Sequence, residues 1–293
     1  MLWMVITVVP YTLLIMLCTL FGMRGRPVYR IARAWLALSV DSARVIMGIK
    51  THVTGMENLP QGEKDGAVLL VKHQSTYETF LMPAIMPRPL AYVFKKELLR
   101  VPFFGWSIGR LDMIHIDRSQ STAAFNKVVQ QGKNLLDKGI WIIMFPEGPR
   151  IDRGQKGKYK NGGTRLAIDT GAPVVPIAVT SAKVWPRKAF IKRPGVVEVS
   201  IGKPIPSVGR QPDELMREVE AWIEAEMRRL DPEAYPAAVP ATSTARASAE
   251  TAATAATGAP AASTDATGAI DAANALGHSD TAQQAPLDGA DRK

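Results

Sequence analysis

The stretch AVLLVKHQSTYETF, residues 67–80, joins an apolar run to a helix-forming segment through a short polar loop. A short apolar run bounded by polar residues is typical of a buried strand, and an amphipathic segment after it is typical of a covering helix. The same alternation continues as far as Leu230. It predicts an α/β fold with a mixed, mostly parallel sheet flanked by helices.

Six strands and four helices are predicted in this part of the chain. The predicted strands are Ala67–Lys72, Leu90–Phe94, Met113–Ile116, Ile140–Phe145, Val174–Ala178 and Val196–Ile201. The predicted helices are Tyr77–Met86, Thr122–Asp137, Thr164–Thr170 and Pro212–Leu230. The sequence contains no Walker loop and no dinucleotide-binding glycine fingerprint. Because a mostly parallel sheet is predicted, functional residues are expected in the loops at the ends of its strands.

Composition divides the chain near residue 237. The segment 237–293 consists mostly of Ala, Thr, Ser, Gly and Asp, and we expect it to be disordered because it cannot bury enough apolar surface to fold. It carries three basic and six acidic residues, so its net charge is −3. The whole chain has a net charge of +9, so the residues before 237 have a net charge of +12. So basic a body favours an anionic partner: nucleic acid, a membrane surface or a phosphorylated substrate. The single cysteine, Cys18, excludes an internal disulfide.

The N-terminus favours a membrane among these partners. Residues 1–23 carry no charge, and as a helix they would extend roughly 34 Å, which is enough to cross the core of a bilayer. No basic region precedes them and no signal-peptide cleavage site follows. Four arginines come next, which predicts an inner-membrane protein with its body on the cytoplasmic side: Arg24, Arg26, Arg30 and Arg33. Pro10 leaves open a shallow insertion instead of a transmembrane helix, and a buried core helix is the remaining alternative.

The following segment, residues 27–50, predicts a second helix of the same kind. At about 100° per residue its polar stripe, formed by Arg30, Arg33, Asp41 and Arg44, covers an arc of roughly 80°. Such a helix pairs with the first one or lies at the membrane interface, and core packing is the alternative. We therefore divide the chain into a membrane-docking helical pair at 1–50, an α/β domain at 51–236 and a tail at 237–293.

His73 and Glu78 are the first candidate site residues. Positions five apart do not share a face of a helix, but they can meet if His73 lies in the loop and Glu78 in the first helical turn. A carboxylate that accepts from one ring nitrogen would leave the other nitrogen free to act as a general base. Alternatively, Ser75 and Glu78 form only a capping box. His52 and His115 have no comparable acidic neighbour in the sequence.

Covalent and metal-dependent chemistry find little support in the sequence. There is no nucleophile elbow of the G-x-S-x-G type, which argues for direct attack by a bound hydroxyl instead of a covalent acyl-enzyme. There is no H-E-x-x-H and no paired Cys/His spacing, so no metal site is predicted.

Two further stretches carry residues suited to phosphate. In IIMFPEGPR, residues 142–150, a buried strand is followed by Glu147, Gly148 and Arg150, and the arginine can bind phosphate in a bidentate manner. In FKKELLRVPFFGW, residues 94–106, Lys95 and Lys96 come at a strand end before an apolar run. An ordinary surface turn and a solvated loop are the alternatives for these two stretches.

The stretches together resemble the lysophosphatidic acid acyltransferases, also called 1-acylglycerol-3-phosphate acyltransferases. Four blocks carry the resemblance, in order: KHQSTYE, FKKELLRVPFFGW, FPEGPR and VVPIAV, which are similar to the family's H-x4-D, K-x-E-L…P-x-x-G, F-P-E-G-T-R and V-P-[IV] blocks. The stretches at 116–120 and 160–179 fit the intervening regions, so the resemblance covers about residues 1–230. Bacterial members of the family also begin with membrane-associated helices.

The resemblance implies acyl transfer from an acyl-carrier-protein or coenzyme A thioester to the 2-hydroxyl of lysophosphatidate, giving phosphatidate in phospholipid biosynthesis. His73 would be the base and Glu78 would orient it. Glu147 would contact or order the glycerol-phosphate site. Arg150, with Lys95 or Lys96 and Arg118, would hold the phosphate. No cofactor is implied beyond the thioester co-substrate, and the expected partners are membrane lipids, with no nucleic acid.

Two positions depart from the family pattern: Glu78 stands where the family has Asp, and Pro149 stands where it has Thr. The first keeps the charge and changes the reach, and the second loses a hydroxyl and an amide donor. The alternatives that stay open are another lysolipid acceptor, such as a lyso-ornithine lipid, and a catalytically silent membrane-binding homologue.

Overall fold

The computed structural model describes residues 2–116 and 121–235. Its α-helices are α1 (Leu2–Leu20), α2 (Arg26–Met47), α3 (Tyr77–Ile85), α4 (Phe104–Ile108), α5 (Ser121–Leu136), α6 (Gly162–Thr170) and α7 (Pro212–Leu230). Its strands are β1 (Ile49–Thr54), β2 (Val68–Val71), β3 (Leu90–Lys95), β4 (Ile114–Ile116), β5 (Trp141–Met144), β6 (Val174–Val179) and β7 (Gly195–Ile201). Short 3-10 turns occupy Met56–Asn58, Lys96–Arg100 and Ser181–Lys183.

The seven strands form one mixed sheet in the order β1-β7-β6-β2-β5-β3-β4. The five strands from β6 to β4 are parallel to their neighbours, β7 is antiparallel to β6, and β1 is parallel to β7. Strands β2 and β6 are buried along their whole length, as expected for parallel strands that are covered on both faces. The predicted α/β fold with a mostly parallel sheet is confirmed.

Helices cover both faces of the sheet and create two hydrophobic layers. On one face α2 and α3 contribute buried side chains such as Ala43 and Leu81. On the other face α5, α6 and α7 contribute Val128, Leu166 and Val219. All six predicted strands and all four predicted helices are present, with ends that differ by one or two residues. Two elements were not predicted, the strand β1 and the short helix α4.

The first two helices pack against each other and against the body. Trp35 in α2 donates a hydrogen bond from Nε1 to Thr7 Oγ1 in α1 at 3.1 Å, so the two helices are in direct contact. Thr12, in the middle of α1 and nearly fully buried, meets Ser107 of α4 with 2.7 Å between the hydroxyl oxygens, and it donates to the Phe103 carbonyl. The middle of α1 is therefore attached to the body.

Arg33, a cation of the predicted polar stripe, is bonded to the body of the protein. Arg33 donates from Nε and Nη2 to the carbonyls of Pro83 and Ala84, both at 3.0 Å, near the C-terminal end of α3. Arg33 therefore attaches α2 to the body and does not project freely from it. Helix α2 also packs inward through Val28, Trp35 and Ala43, which are buried.

Helix α1 is long and apolar enough to cross a membrane by length and composition, over Trp3–Leu20 with a mean hydropathy of 2.1. Its large apolar side chains that point away from the body are exposed: Val5, Ile6, Leu13, Leu14, Leu17 and Leu20. An apolar helix with so much uncovered surface indicates association with a membrane. The tail predicted at 237–293 lies outside the described residues, and the domain boundaries stay a prediction.

Candidate active site

The candidate residues meet at the carboxyl edge of the parallel strands. Strand β2 ends at Val71 and strand β5 at Met144, and the two are paired so that Leu70 lies opposite Met144. His73 and Glu147 therefore follow neighbouring strands into the same edge of the sheet, where parallel α/β proteins hold their sites.

His73 and Glu78 form a buried pair. The Nδ1 atom of His73 lies 2.8 Å from Glu78 Oε2, with the His73 side chain only 9% exposed and the Glu78 side chain fully buried. Among the described residues, the other ring nitrogen, Nε2, has no hydrogen-bond partner. A carboxylate beside Nδ1 favours the tautomer with the proton on that nitrogen, so Nε2 would carry the lone pair that a base needs.

Glu78 also stabilises the loop that carries His73. One of its oxygens accepts from the Ser75 amide at 2.9 Å and from the Gln74 amide at 3.0 Å, and it is hydrogen-bonded to the Ser181 hydroxyl as well. Half of the predicted capping box is therefore present. The other half differs, because the Ser75 hydroxyl accepts from the amide of Tyr77, the first residue of α3, at 3.1 Å instead of from the Glu78 amide, and it donates to the Trp185 carbonyl. The cap-like role and the histidine contact coexist in one carboxylate.

The imidazole of His73 is held on its face as well as at its edge. Its ring stacks on Phe145, with ring centroids 3.8 Å apart and planes inclined by 14°. Phe145 comes directly after β5, and in chain order it stands two residues before Glu147. Stacking and the bond to Glu78 together leave the ring one orientation.

His52 has an acidic partner in space that the sequence did not indicate. Strands β1 and β7 place His52 directly opposite Glu198, and Nδ1 lies 2.7 Å from Glu198 Oε2. The His52 side chain is 63% exposed, so water screens this pair. Burial, not the presence of a carboxylate alone, distinguishes His73.

Glu147 lies behind His73 with both carboxylate oxygens engaged. Oε2 accepts from the His73 backbone amide at 2.9 Å, and Oε1 accepts from Lys72 Nζ at 2.7 Å and from the Gly157 amide at 3.3 Å. Burial raises the pKa of Glu147, and the charge of Lys72 opposes that shift. This geometry suits the ordering role that the resemblance implied better than direct contact with a substrate.

Lys72 and Glu224 were not predicted from the sequence. Lys72 is fully buried, and its Nζ donates to Glu224 Oε1 at 2.7 Å in addition to Glu147. Tyr159 completes the cluster by donating its hydroxyl to Glu224 at 2.9 Å. Burial alone would lower the pKa of Lys72, but the two carboxylates outweigh it and the pKa is raised. The only signal in the sequence was a lysine at the end of a buried strand, because its partners are 75 and 152 residues away.

Gly148 and Arg150 belong to the loop after β5. Gly148 has φ of +80°, and a Cβ there would lie 3.1 Å from Lys160 Nζ, so the turn favours glycine. The Nε atom of Arg150 is buried and has no hydrogen-bond partner within the described ranges 2–116 and 121–235. A buried guanidinium donor without a partner is costly, and an anionic ligand would satisfy it.

The predicted lysines lie at the same edge of the sheet, one strand further. Strand β3 is parallel to β5, with Tyr92 opposite Ile143, so Lys95 and Lys96 extend from the carboxyl edge, and both are exposed. Arg118 lies outside the described residues. No group of three or more His, Cys, Asp or Glu side chains that could hold a metal ion occurs in the described part of the chain.

Comparison with known proteins identifies the class of protein first. Residues 50–180 match the family model described as Acyltransferase, and that range contains His73, Glu78, Glu147 and Arg150. The chain is similar to solved structures as well: it superposes on the crystal structure of the 1-acyl-sn-glycerophosphate (LPA) acyltransferase from Thermotoga maritima with a TM-score of 0.60. That superposition covers 78% of this chain and 98% of the other at 22% identity, which establishes the fold.

The particular family follows from curated relatives. The chain is 42% identical to the 1-acyl-sn-glycerol-3-phosphate acyltransferase of Pseudomonas aeruginosa over 205 residues, which are 69% of this chain and 78% of the relative. It is 30% identical to the Saccharomyces cerevisiae protein of the same name over 193 residues, or 64% and 61% of the two chains. The chain belongs to the 1-acyl-sn-glycerol-3-phosphate acyltransferase family, as its motifs predicted.

Proposed function

We propose that this protein transfers a fatty acyl group from an acyl-carrier-protein or coenzyme A thioester to the 2-hydroxyl of lysophosphatidate, giving phosphatidate. The observation that carries the proposal is the buried His73–Glu78 pair, with Nδ1 and Oε2 2.8 Å apart, next to the loop of Arg150. The names of the relatives support the acceptor, and the chemistry of the pair supports the reaction.

In the proposed mechanism His73 is a general base. Its Nε2 takes the proton from the acceptor hydroxyl while the hydroxyl oxygen attacks the carbonyl carbon of the thioester. The tetrahedral adduct then collapses, the carbon–sulfur bond breaks, and the leaving thiolate takes the proton from the imidazolium. The products are an ester and a free thiol, with no acyl-enzyme. Glu78 keeps the tautomer and stabilises the transient imidazolium.

Arg150 is the proposed contact for the acceptor phosphate, because its buried Nε has no partner among the described residues. A guanidinium forms paired, charge-assisted hydrogen bonds with phosphate oxygens. Lys95 and Lys96, at the same sheet edge, and Arg118 would add positive charge around the phosphate. Glu147 and Gly148 shape the loop that presents Arg150. The reaction requires no cofactor beyond the thioester.

We propose further that α1 inserts into one leaflet of the inner membrane and does not cross it, with the α/β domain on the cytoplasmic side. If α1 crossed, Thr12 would lie near the middle of the bilayer, and its partners Ser107 and Phe103 would lie there too. Insertion parallel to the surface avoids this, since the exposed apolar residues of α1 can enter the acyl region together with those of residues 98–106: Leu98, Val101, Phe104 and Trp106.

The test is a radiolabelled acyl-transfer assay with both thioester donors and a panel of acceptors. We expect lysophosphatidate to be preferred, with His73→Ala lowering the rate by about 10²- to 10⁴-fold while folding and vesicle binding persist. His52→Ala, the same change at the exposed His–Glu pair, is the matched control and should retain activity. Preference for a phosphate-free lysolipid such as a lyso-ornithine lipid would refute the phosphate contact. Wild-type turnover in His73→Ala would refute the base.

A further inference from the structure

Lys72 is a charged side chain with no exposure, one residue before the candidate base. Its ammonium lies between two carboxylates, Glu147 and Glu224, each at 2.7 Å, and 5.7 Å from the centroid of the Tyr159 ring. Removing a charge from water is expensive, and a lysine is retained in such a place only when its partners compensate. The mechanism described above does not use it.

A continuous chain of bonds runs from this ammonium to the loop of His73. Lys72 Nζ holds Oε1 of Glu147, and Oε2 of the same carboxylate accepts the amide hydrogen of His73 at 2.9 Å. The carbonyl of His73 is held as well, because it accepts from the Ile151 amide at 2.8 Å. The loop that carries Arg150 is thus connected to the backbone of His73 at both its amide and its carbonyl.

The ammonium of Lys72 offsets part of the negative charge of the two carboxylates. Two carboxylates and one ammonium share a buried volume, so the cluster carries one net negative charge when all three are ionised. Without Lys72 the two carboxylates would face each other with no cation, and like charges in a buried site favour the protonated form. Glu147 would then be a neutral acid at higher pH and a weaker acceptor for the His73 amide.

We propose that Lys72 is a positioning residue of the acyl-transfer reaction: it keeps Glu147 ionised and oriented, and Glu147 in turn sets the position of the His73 backbone relative to the Arg150 loop. Glu224 holds Lys72 from the far side. The inference rests on the proposed role of His73 as the base, and it adds residues that contact neither substrate. The competing explanation is that the cluster only stabilises the fold.

A double-mutant cycle in kcat separates the two explanations, using Lys72→Met, Glu147→Gln and the double variant. Misplacing a reacting group by about 1 Å costs on the order of 10²-fold in rate, so we expect Lys72→Met to lower kcat about 30- to 100-fold with little change in the KM of either substrate. If Lys72 acts through Glu147, the double variant should lose no more than the worse single variant. Losses that multiply would overturn the proposal.

The pH profile supplies a readout that general destabilisation would not move. In Lys72→Met the acidic limb of kcat should shift to higher pH, because Glu147 loses the cation that opposes its protonation. In Lys72→Met/Glu147→Gln that titrating group is absent, so the limb should return to the wild-type position. An unshifted limb in Lys72→Met would contradict the inference.

Stability controls complete the experiment. Val219→Ala removes buried methyl groups from α7 on the same side of the sheet, without changing a charge, and should lower Tm with kcat unchanged. If Lys72→Met does not accumulate as folded protein, Lys72→Met/Glu224→Gln replaces it, since this variant has the net charge of the wild-type cluster. Wild-type kcat in either folded variant would overturn the proposal, whereas an active His73→Ala would overturn the base itself.

Discussion

At the scale of single residues, Glu78 carries two tasks with one carboxylate. Oε2 contacts the His73 ring, whereas Oε1 accepts from the Ser75 amide and is bonded to the Ser181 hydroxyl. The extra methylene relative to aspartate is accommodated because Glu78 lies in the first turn of α3 and reaches back along the loop. Backbone support and orientation of the ring are therefore not competing explanations for this residue.

The change Glu78→Gln divides these tasks. Glutamine keeps an oxygen for the loop amides but cannot offer a negative charge to an imidazolium. We expect Tm to change little and kcat to fall on the order of 10²- to 10⁴-fold, as for an amide in place of a triad carboxylate. Thermal unfolding and acyl transfer are measured on the same preparation. A clear loss of stability with normal specific activity would mean that Glu78 serves only the loop.

At the scale of elements, the helical pair is distinguished by the apolar side chains that it leaves exposed. Helix α1 buries Thr12 and Ile15 against the body and exposes Leu13, Leu17 and Leu20. The exposed residues lie on one side of the helix, roughly opposite Ile15, since they are spaced at three and four residues. This face has the chemistry of a surface that enters lipid.

We expect Leu17→Glu to weaken binding to phospholipid vesicles by about 30-fold or more. Losing a leucine side chain that is buried in the lipid when the protein binds costs about 2 kcal/mol before the charge is counted. Folding should persist, since Leu17 is 52% exposed. Val208→Glu is the matched control: this valine is 74% exposed, but it lies outside α1 and the 98–106 segment. Equal effects of the two changes in vesicle sedimentation would argue against α1 as the docking element.

How far the sequence predicts the structure also differs between elements. The buried strands were predictable because continuous apolar runs such as VLLV have no other place than a covered sheet. Strand β1 was not, because it lies at the sheet edge and alternates buried and exposed residues, so IKTHVT has little apolar signal. Helix α4 is only five residues long and follows Phe103, which has φ of 59°, so no periodicity marks it.

The candidate site shows the same division. His73 and Glu78 were predictable because both lie in one local loop, where sequence spacing implies spatial distance. The contact of Lys72 with Glu224 depends on how α7 packs across the sheet, and no spacing rule connects a strand end to a helix so far along the chain. His52 and Glu198 were missed for the same reason, since the pairing of β1 with β7 brings them together.

At the scale of the whole molecule, charge is divided unevenly. The residues before 237 carry +12 and the tail carries −3. A basic body is attracted to an anionic bilayer, and the attraction weakens when added salt shortens the Debye length below about 10 Å. The apolar face of α1 provides a contribution that salt does not weaken.

A chain that ends at Tyr235 tests this division. The residues removed carry six acidic and three basic side chains, so the shortened protein gains positive charge. We expect unchanged Tm and kcat, and binding to anionic vesicles that persists to higher salt than for the full chain. Zwitterionic vesicles are the control, on which the two proteins should behave alike. A loss of Tm on truncation would show that the tail contributes to the fold.

The N-terminal end of α1 also bears on how the enzyme meets its substrate. Met4 packs against the same hydrophobic layer as Phe145, and Phe145 carries the His73 ring on its face. Helix α1 and the residue that carries the His73 ring therefore share one hydrophobic layer. If α1 enters the leaflet as proposed, a lysolipid there can reach the enzyme by lateral diffusion without dissolving in water. Turnover should then follow surface-dilution kinetics: at a fixed bulk amount of lysophosphatidate, adding inert phospholipid slows the reaction.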